Sequence, residues 1–315
     1  MLKYVGKRLL YMIPVLLGVA FLVFAILSLT PGDPGTIILG ITAKPEDIAK
    51  LNAEFGYDKP FLIRFFNYII GCLQGNLGTS YQTRKPVIDS ILARFPNTLT
   101  LALFSMSVAA IVGITLGILS AVKQYSVLDH VCVVTALVFA CVPGFWLGLM
   151  LIILFSLKLG WLPSYGASSF ACFILPTITV STGSAAGLLR MTRASMLETL
   201  RQEYIRTARA KGAPNKRVIL KHALRNALIP VVTTLGTSFG ASLGGAIIAE
   251  TVFAIPGMGT LITTAIRQKD IPMVMGSTLF LAILFSLIIL LVDVLYAFID
   301  PRIMAKYKKG GRLDG

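Results

Sequence analysis

The chain has 315 residues, of which 56% are hydrophobic and 14% charged, and it carries a formal net charge of +15. Soluble domains hold roughly 25% charged residues, so this composition excludes an ordinary soluble domain and points to a polytopic membrane protein. The positive excess gathers at the ends of apolar runs, as topology signals do, and not over a face that would take nucleic acid.

Six stretches longer than 20 residues lack Asp, Glu, Lys and Arg: Leu9–Gly32, Phe95–Val122, Val131–Leu157, Leu159–Leu189, Asn226–Ala249 and Ile271–Val292. Each is long enough for a spanning helix. The sequence therefore predicts an all-α integral membrane fold with six transmembrane helices in contact with membrane lipid. The first apolar core, Leu9 to Leu29, covers about 31 Å. That is too long for a signal-peptide core, and no A-x-A site follows it, so it reads as a retained helix.

The 31–96 segment opens on the turn TPGDPG. Lys44–Leu51 and Phe61–Leu73 read as helices, FLIRFFNYII as an interfacial one, and GNLGTSYQTRKPV as extended. In the fourth stretch WLPSYGASS reads as a loop, which leaves about 173–189 for the helix and puts Trp161 and Tyr165 at headgroup depth. Cys72, Cys132, Cys141 and Cys172 show no CxxC spacing, so small buried residues are expected and no metal site. Glycines recur inside the helices at Gly113 and Gly117, then at Gly236, Gly240, Gly244 and Gly245. Gly236, Gly240 and Gly244 form a small-xxx-small face on the fifth, a seam for another helix.

With the N-terminus inside, the inner segments hold 19 of the 29 Lys and Arg: three near the start, Lys123, ten between Arg190 and Arg225, and five between Arg302 and Arg312. Outside lie seven in the long first loop, plus Lys158, Arg267 and Lys269. Long loops translocate regardless of charge, so both termini are expected in the cytoplasm.

The basic segment 190–227 is patterned beyond what a topology signal needs. Leu200–Lys211 lacks Gly and Pro and reads as a short helix. Gly212 sits where a C′ residue belongs, and Pro214 blocks continuation. Asn215 can cap a second helix, Lys216–Ala227. Leu200, Tyr204, Ile205 and Ala208 make one apolar stripe, with Arg201, Arg206, Arg209 and Lys211 elsewhere. Near membrane level, Asp293 needs a partner, expected to be a loop Arg, and Glu250 reads as a loop anchor. No GxxxxGK[ST], HExxH or nucleophile–base pair occurs, so no catalytic residue and no cofactor is expected. An ion-coupled carrier would bury more midplane carboxylates and would not need the basic helical segment.

This segment resembles the EAA loop of permease subunits of ATP-binding-cassette importers, with the pattern EAA, three residues, Gly, nine residues, I-x-L-P. Gly212 takes the Gly position. Arg206-Thr207-Ala208 stands for EAA and matches at Ala208. His222, Leu224 and Arg225 stand for I-x-L-P and match at Leu224, with Pro230 five residues on. The likeness is far closer to the dipeptide/oligopeptide/nickel branch, through EYIRTARAKG at 203–212 and HALRNALIP at 222–230. KRLLYMIPVLLGV, PGDP, LGTSYQTRKPV, PNTLTLAL, ETVFAIPGMG at 250–259 and DPR at 300–302 resemble that branch too.

The resemblance runs end to end. It implies a type I importer permease fold in a prokaryotic cell membrane and a non-enzymatic subunit. The chain divides into 1–96, a transmembrane domain 97–300 with the coupling loop 190–227, and a tail 301–315. Implied partners are a second homologous permease, two ATPase subunits and an extracytoplasmic binding protein. The implied cargo is short peptides, or alternatively nickel or a metal chelate. Glu203, Tyr204, Ile205, Arg206, Ala208, Arg209, Gly212 and Arg217 are the expected coupling residues. Tyr204, Ile205 and Ala208 would be buried in an ATPase cleft, with Arg206 and Arg209 at its rim.

Overall fold

A computed structural model of the protein describes residues 2–29 and 32–299. The tail 301–315, the DPR block at 300–302 and the first two residues of TPGDPG fall outside the described residues. Within them the chain is helical, with no strand and one isolated bridge, Thr79 to Pro86. The first half comprises α1 (Leu2–Leu29), α2 (Pro34–Leu39), α3 (Pro45–Glu54), α4 (Phe61–Leu73), α5 (Val87–Val122), α6 (Val127–Cys141) and α7 (Gly144–Leu151), the last prolonged by a π-helical turn, Ile152–Lys158. Then come α8 (Ile174–Leu200), α9 (Glu203–Ala210), α10 (Asn215–Arg217), a π-helical turn Val218–Ala223, α11 (Leu224–Gly245), α12 (Ile247–Val252), α13 (Met258–Arg267) and α14 (Ile271–Ile299).

Among the described residues five helices are long and apolar enough to cross a membrane, and a sixth span is present if the bent pair containing α6 and α7 counts as one. That pair departs from the expected straight third helix by a bend of 98°. Pro143 is the cause. It has no N–H to donate, and it forces the preceding residue out of the helical region; Val142 is extended, at φ −69° and ψ 123°. Two other helices overrun their apolar stretches. α5 starts at Val87 and not Phe95, and its 36 residues span about 54 Å, well beyond the ~30 Å of hydrocarbon. α8 runs past Arg190 and Arg193 to Leu200. Charge ends the part of a helix that can sit in lipid. It does not end the helix.

The most extensive seam joins α5 and α8. A Cβ on Gly113 would lie 2.7 Å from the Ala185 carbonyl oxygen, and one on Gly117 would lie 2.6 Å from the Thr192 Cβ. Only glycine lets the two backbones come this close. α11 meets α14 by the same device: a Cβ on Gly240 would lie 2.7 Å from the Phe285 ring, and one on Gly236 would collide with Val292. Gly244 faces open space. The expected three-glycine face is thus a two-glycine seam inside this chain, because α14 passes Gly236 and Gly240 but not Gly244.

The segment before α5 is held by two carboxyl groups. Asp33 caps α2, accepting from the Thr36 backbone N–H at 2.8 Å and from the Asn52 side-chain amide at 2.8 Å. Burial would raise the Asp33 carboxyl, but these bonds and the Thr36 hydroxyl outweigh it and hold the group below its ordinary value. Asp270, 2% exposed, accepts from the Ser80 hydroxyl at 2.5 Å and the Tyr81 backbone N–H at 3.1 Å, and it caps α14 through the Met273 N–H. At that end of the bundle Val87 and Ile91 of α5 pack against Met273 and Val274 of α14.

Overpacking a filled seam costs about 1–3 kcal/mol. Gly240→Leu is therefore expected to lower the thermal stability of the detergent-purified protein, read by fluorescence-detected size exclusion, while Gly244→Leu leaves it unchanged. Equal melting of the two variants would place the seam elsewhere.

Candidate functional site

The other end of α5 carries the basic segment. α8 ends at Leu200, the chain turns at Arg201–Gln202, and α9 lies across the end of the bundle. One residue seats it. Ile205 is fully buried and packs with Ala121 of α5, Met196 of α8, Val218, and Ala223 and Ala227 at the start of the fifth span. Leu200 is partly buried against the same cluster, and Ala208 is half-buried. Leu200, Ile205 and Ala208 of the apolar stripe therefore face this chain, and Tyr204 does not. Burial of Ile205 in an ATPase cleft is corrected by this geometry: a short helix with one apolar stripe turns it toward its own bundle and leaves its polar face outside.

That outer face holds the remaining expected residues. Tyr204 is 41% exposed; its hydroxyl accepts from the Asn226 amide at 2.7 Å and donates to the His222 carbonyl at 3.5 Å. Glu203 and Arg206 form an exposed i,i+3 pair at 3.0 Å, of a kind worth little to stability. Arg209, Gly212 and Arg217 are exposed.

Gly212 closes α9. Its φ is +77°. Its N–H donates to the Arg209 carbonyl at 2.9 Å, and the Ala213 N–H donates to the Ala208 carbonyl at 3.2 Å. This is the paired closure of a Schellman motif, which needs a left-handed residue at C′. A Cβ there would touch nothing within 4 Å, so the glycine is required by backbone conformation alone. Pro214 follows, and Asn215 is the first residue of α10, not its cap. The expected second short helix is continuous with the fifth span: α10, a π-helical turn and α11 form one rod, Asn215–Gly244. No helix breaker lies between Asn215 and Pro230, and Pro230 is accommodated inside α11.

Two ion pairs brace the bundle. Arg193 of α8 grips Asp129 of α6 with both ends of its guanidinium, Nε to Oδ1 at 2.7 Å and Nη2 to Oδ2 at 2.8 Å. The Ser120 hydroxyl of α5 also donates to Asp129, and so does the Tyr125 N–H at 3.0 Å. The sequence reading counted Arg193 as a loop cation and passed over Asp129. The signal was Ser126-Val-Leu-Asp129 at the start of α6, with the Ser126 hydroxyl accepting from the Asp129 N–H at 3.3 Å. Asp293 pairs with Arg8 of α1 at 3.1 Å, where a loop Arg was expected; α1 runs beside α14, so Arg8 reaches it first.

Glu250 is the anchor the sequence suggested. It is fully buried; Oε1 accepts from the Thr98 hydroxyl at 2.6 Å and Oε2 from the Thr260 N–H at 3.0 Å. The Met258 N–H donates to the Thr98 hydroxyl at 2.7 Å and the Asn97 amide to the Pro256 carbonyl at 2.9 Å. A Cβ on Gly257 would fall on the Glu250 carboxyl, and one on Gly259 would lie 3.0 Å from it. PNTLTLAL and ETVFAIPGMG, far apart in sequence, thus build one knot.

The family described as binding-protein-dependent transport system inner membrane component matches residues 113–305, and its N-terminal counterpart matches residues 1–102. Over 306 residues the chain is 44% identical to proteins named glutathione transport system permease protein GsiC, from Salmonella choleraesuis and from Escherichia coli; each match covers 97% of this chain and 100% of the relative. Among solved structures, the inward-facing MetNI methionine ABC transporter is similar in fold, with a TM-score of 0.57 at 19% identity, over 68% of this chain and 97% of that one.

Removing one partner of a buried ion pair strands the other charge and costs about 3–5 kcal/mol. Asp129→Ala is expected to destabilise the protein on that scale, and Arg193→Met added to it should restore part of the loss. Strictly additive losses in a thermal double-mutant cycle would show that the two side chains do not act as a unit.

Proposed function

The chain belongs to the family of binding-protein-dependent transport system inner membrane components, and we propose that it forms the path for short peptides through an importer driven at α9. It is the membrane-spanning permease subunit of an ABC importer, multi-pass in the bacterial inner membrane. It is a transport component and not an enzyme; ATP hydrolysis belongs to separate subunits, and an external binding protein brings the cargo. The cargo reading is supported by full-length likeness to permeases named for glutathione, itself a tripeptide.

The observation that carries the mechanism is the seating of α9. Ile205 fixes it to three spans at once, and its polar face with Glu203, Tyr204, Arg206 and Arg209 is exposed. In this reading that polar face docks on one of two ATPase subunits, with Gly212 and Arg217 bordering it. Both termini and α9 lie in the cytoplasm, and a second homologous permease completes the path. ATPase closure then moves α9 as a rigid body, and the Asn215–Gly244 rod carries the motion into the membrane. Switching proteins commonly use such rigid-body coupling. The division into 1–96, 97–300 with the coupling segment 190–227, and a tail follows the same reading.

Gly212→Val forces a β-branched residue into the left-handed region, at about 1–3 kcal/mol. Uptake and substrate-stimulated ATPase activity are expected to be lost while the subunit still inserts. Arg206→Glu with Arg209→Glu should weaken co-purification of the ATPases without lowering thermal stability, whereas Ile205→Ala should lower stability first. Wild-type uptake by Gly212→Val would remove the coupling role. For orientation, a cysteine replacing Lys216 should resist a membrane-impermeant reagent applied from outside, and one replacing Lys44 should react; the reverse pattern would invert the topology.

A further inference from the structure

At the end of the bundle opposite α9, a cavity of about 410 Å³ opens between α1, α3, α4 and the start of α14. The Arg64 side chain of α4 lies in it. Its guanidinium stacks on the Tyr57 ring at 3.7 Å from the centroid, with the Phe24 ring at 5.6 Å. Among the described residues the guanidinium makes no ion pair and no hydrogen bond. Its N–H groups, five donors in a planar fork, meet no acceptor among the described residues. Lys59 lines the same cavity and adds a second positive charge; Glu54 also lines it and forms no ion pair with either. Phe55, which meets Tyr81 edge-on at 5.1 Å, supplies a further aromatic wall. Burial pushes the Tyr81 phenol up and Tyr57 adds to the rise, while the Arg64 charge works the other way.

A guanidinium fork is shaped for a carboxylate, which it holds with two parallel hydrogen bonds. Stacking on Tyr57 fixes the plane of the fork before any ligand arrives, so little side-chain freedom is lost on binding. Ring walls beside it suit an apolar or aromatic body. The volume lies within the roughly 300–1,000 Å³ of small-molecule sites, and a concave site of that size suits a small ligand better than a flat protein contact. We propose that this cavity binds a small molecule bearing a carboxylate on an aromatic or branched apolar body, gripped by Arg64 and flanked by Phe55 and Tyr57. The site is separate from the coupling segment and does not rest on the transport reading.

The test uses the full-length protein in lipid nanodiscs and ligand-observed NMR with two probes, N-acetylphenylalanine and its carboxamide. The acid is expected to bind, and the amide, which lacks the carboxylate, about tenfold more weakly, as befits loss of a charge-assisted pair. Arg64→Gln should abolish that preference, and Lys59→Gln, at an exposed position, should weaken the acid about twofold to threefold by Coulomb attraction alone. The comparison of acid with amide on the unaltered protein needs no variant to fold. Equal binding of the two probes, unchanged acid binding in Arg64→Gln, or no acid binding up to about 10 mM would each overturn the assignment. So would a result in which Arg64→Gln leaves both probes unaffected but releases the external binding protein, since the cavity would then be a docking socket.

Discussion

The ion pair between Asp129 and Arg193 is the constraint on which the moving parts of this structure depend. It joins α6 to α8 by two parallel hydrogen bonds, and Ser120 brings in α5. A buried pair of this kind adds little stability over an apolar substitute, because desolvation offsets its attraction. Its geometry is specific, however, and a bidentate fork does not slide. α8 therefore cannot shift at this end without α5 and α6. The same helix runs on to Leu200 and turns directly into α9. In the proposed coupling, force on α9 reaches the α5–α8 seam and the bent third span together, and does not dissipate in a flexible linker.

Glycine decides how stiff that assembly is. Lipid offers no hydrophobic drive for helices to associate, so close van der Waals contact must hold them. Gly113 and Gly117 press α5 against α8, and Gly236 and Gly240 press α11 against α14. Between these pairs runs the Ser195 hydroxyl, which donates to the Ala227 carbonyl at 2.9 Å and ties α8 to α11 just inside α9. Toward the opposite end the Glu250 knot does comparable work with polar atoms. Thr98, Thr260 and Met258 satisfy one another and the carboxyl in a site closed to solvent, where an unmatched polar group would be costly.

Much of this was legible in the sequence, and the failures share a cause. Six charge-free runs correspond to five long apolar helices and one bent pair, because lipid penalises charge. The same rule misplaced helix ends at Val87 and Leu200, since a helix may continue into water with its charges solvated. Pro143 lies inside the third charge-free run, and periodicity does not say that a break there becomes a 98° bend. The spacing of Leu200, Tyr204, Ile205 and Ala208 makes one apolar stripe, yet a stripe does not name its partner, and Tyr204 stays exposed. Only the fold shows Met196, Val218 and Ala223 waiting for Ile205. Pairings such as Asp129 with Arg193 or Glu250 with Thr98 join residues distant in sequence, and a single sequence holds no distance between them.

The segment before α5 follows a different logic. It is bonded to the bundle mainly through Asp270, which holds Ser80 and Tyr81 and also caps α14. It packs on α1 through Phe61 and Phe65 against Phe21 and Phe24, with ring centroids 5.2–5.8 Å apart. α1 in turn lies against α14 and pairs with it through Arg8 and Asp293. The first span, the segment after it and the last span are thus linked in a closed circuit, whereas α5, α6, α8 and α9 form a second set around Asp129 and Ile205. The glycine seam of α11 on α14 is a principal junction between the two. That junction rests on van der Waals contact, and among the described residues no side-chain hydrogen bond crosses it. The cavity around Arg64 belongs to the first of these sets, at the end of the bundle opposite α9.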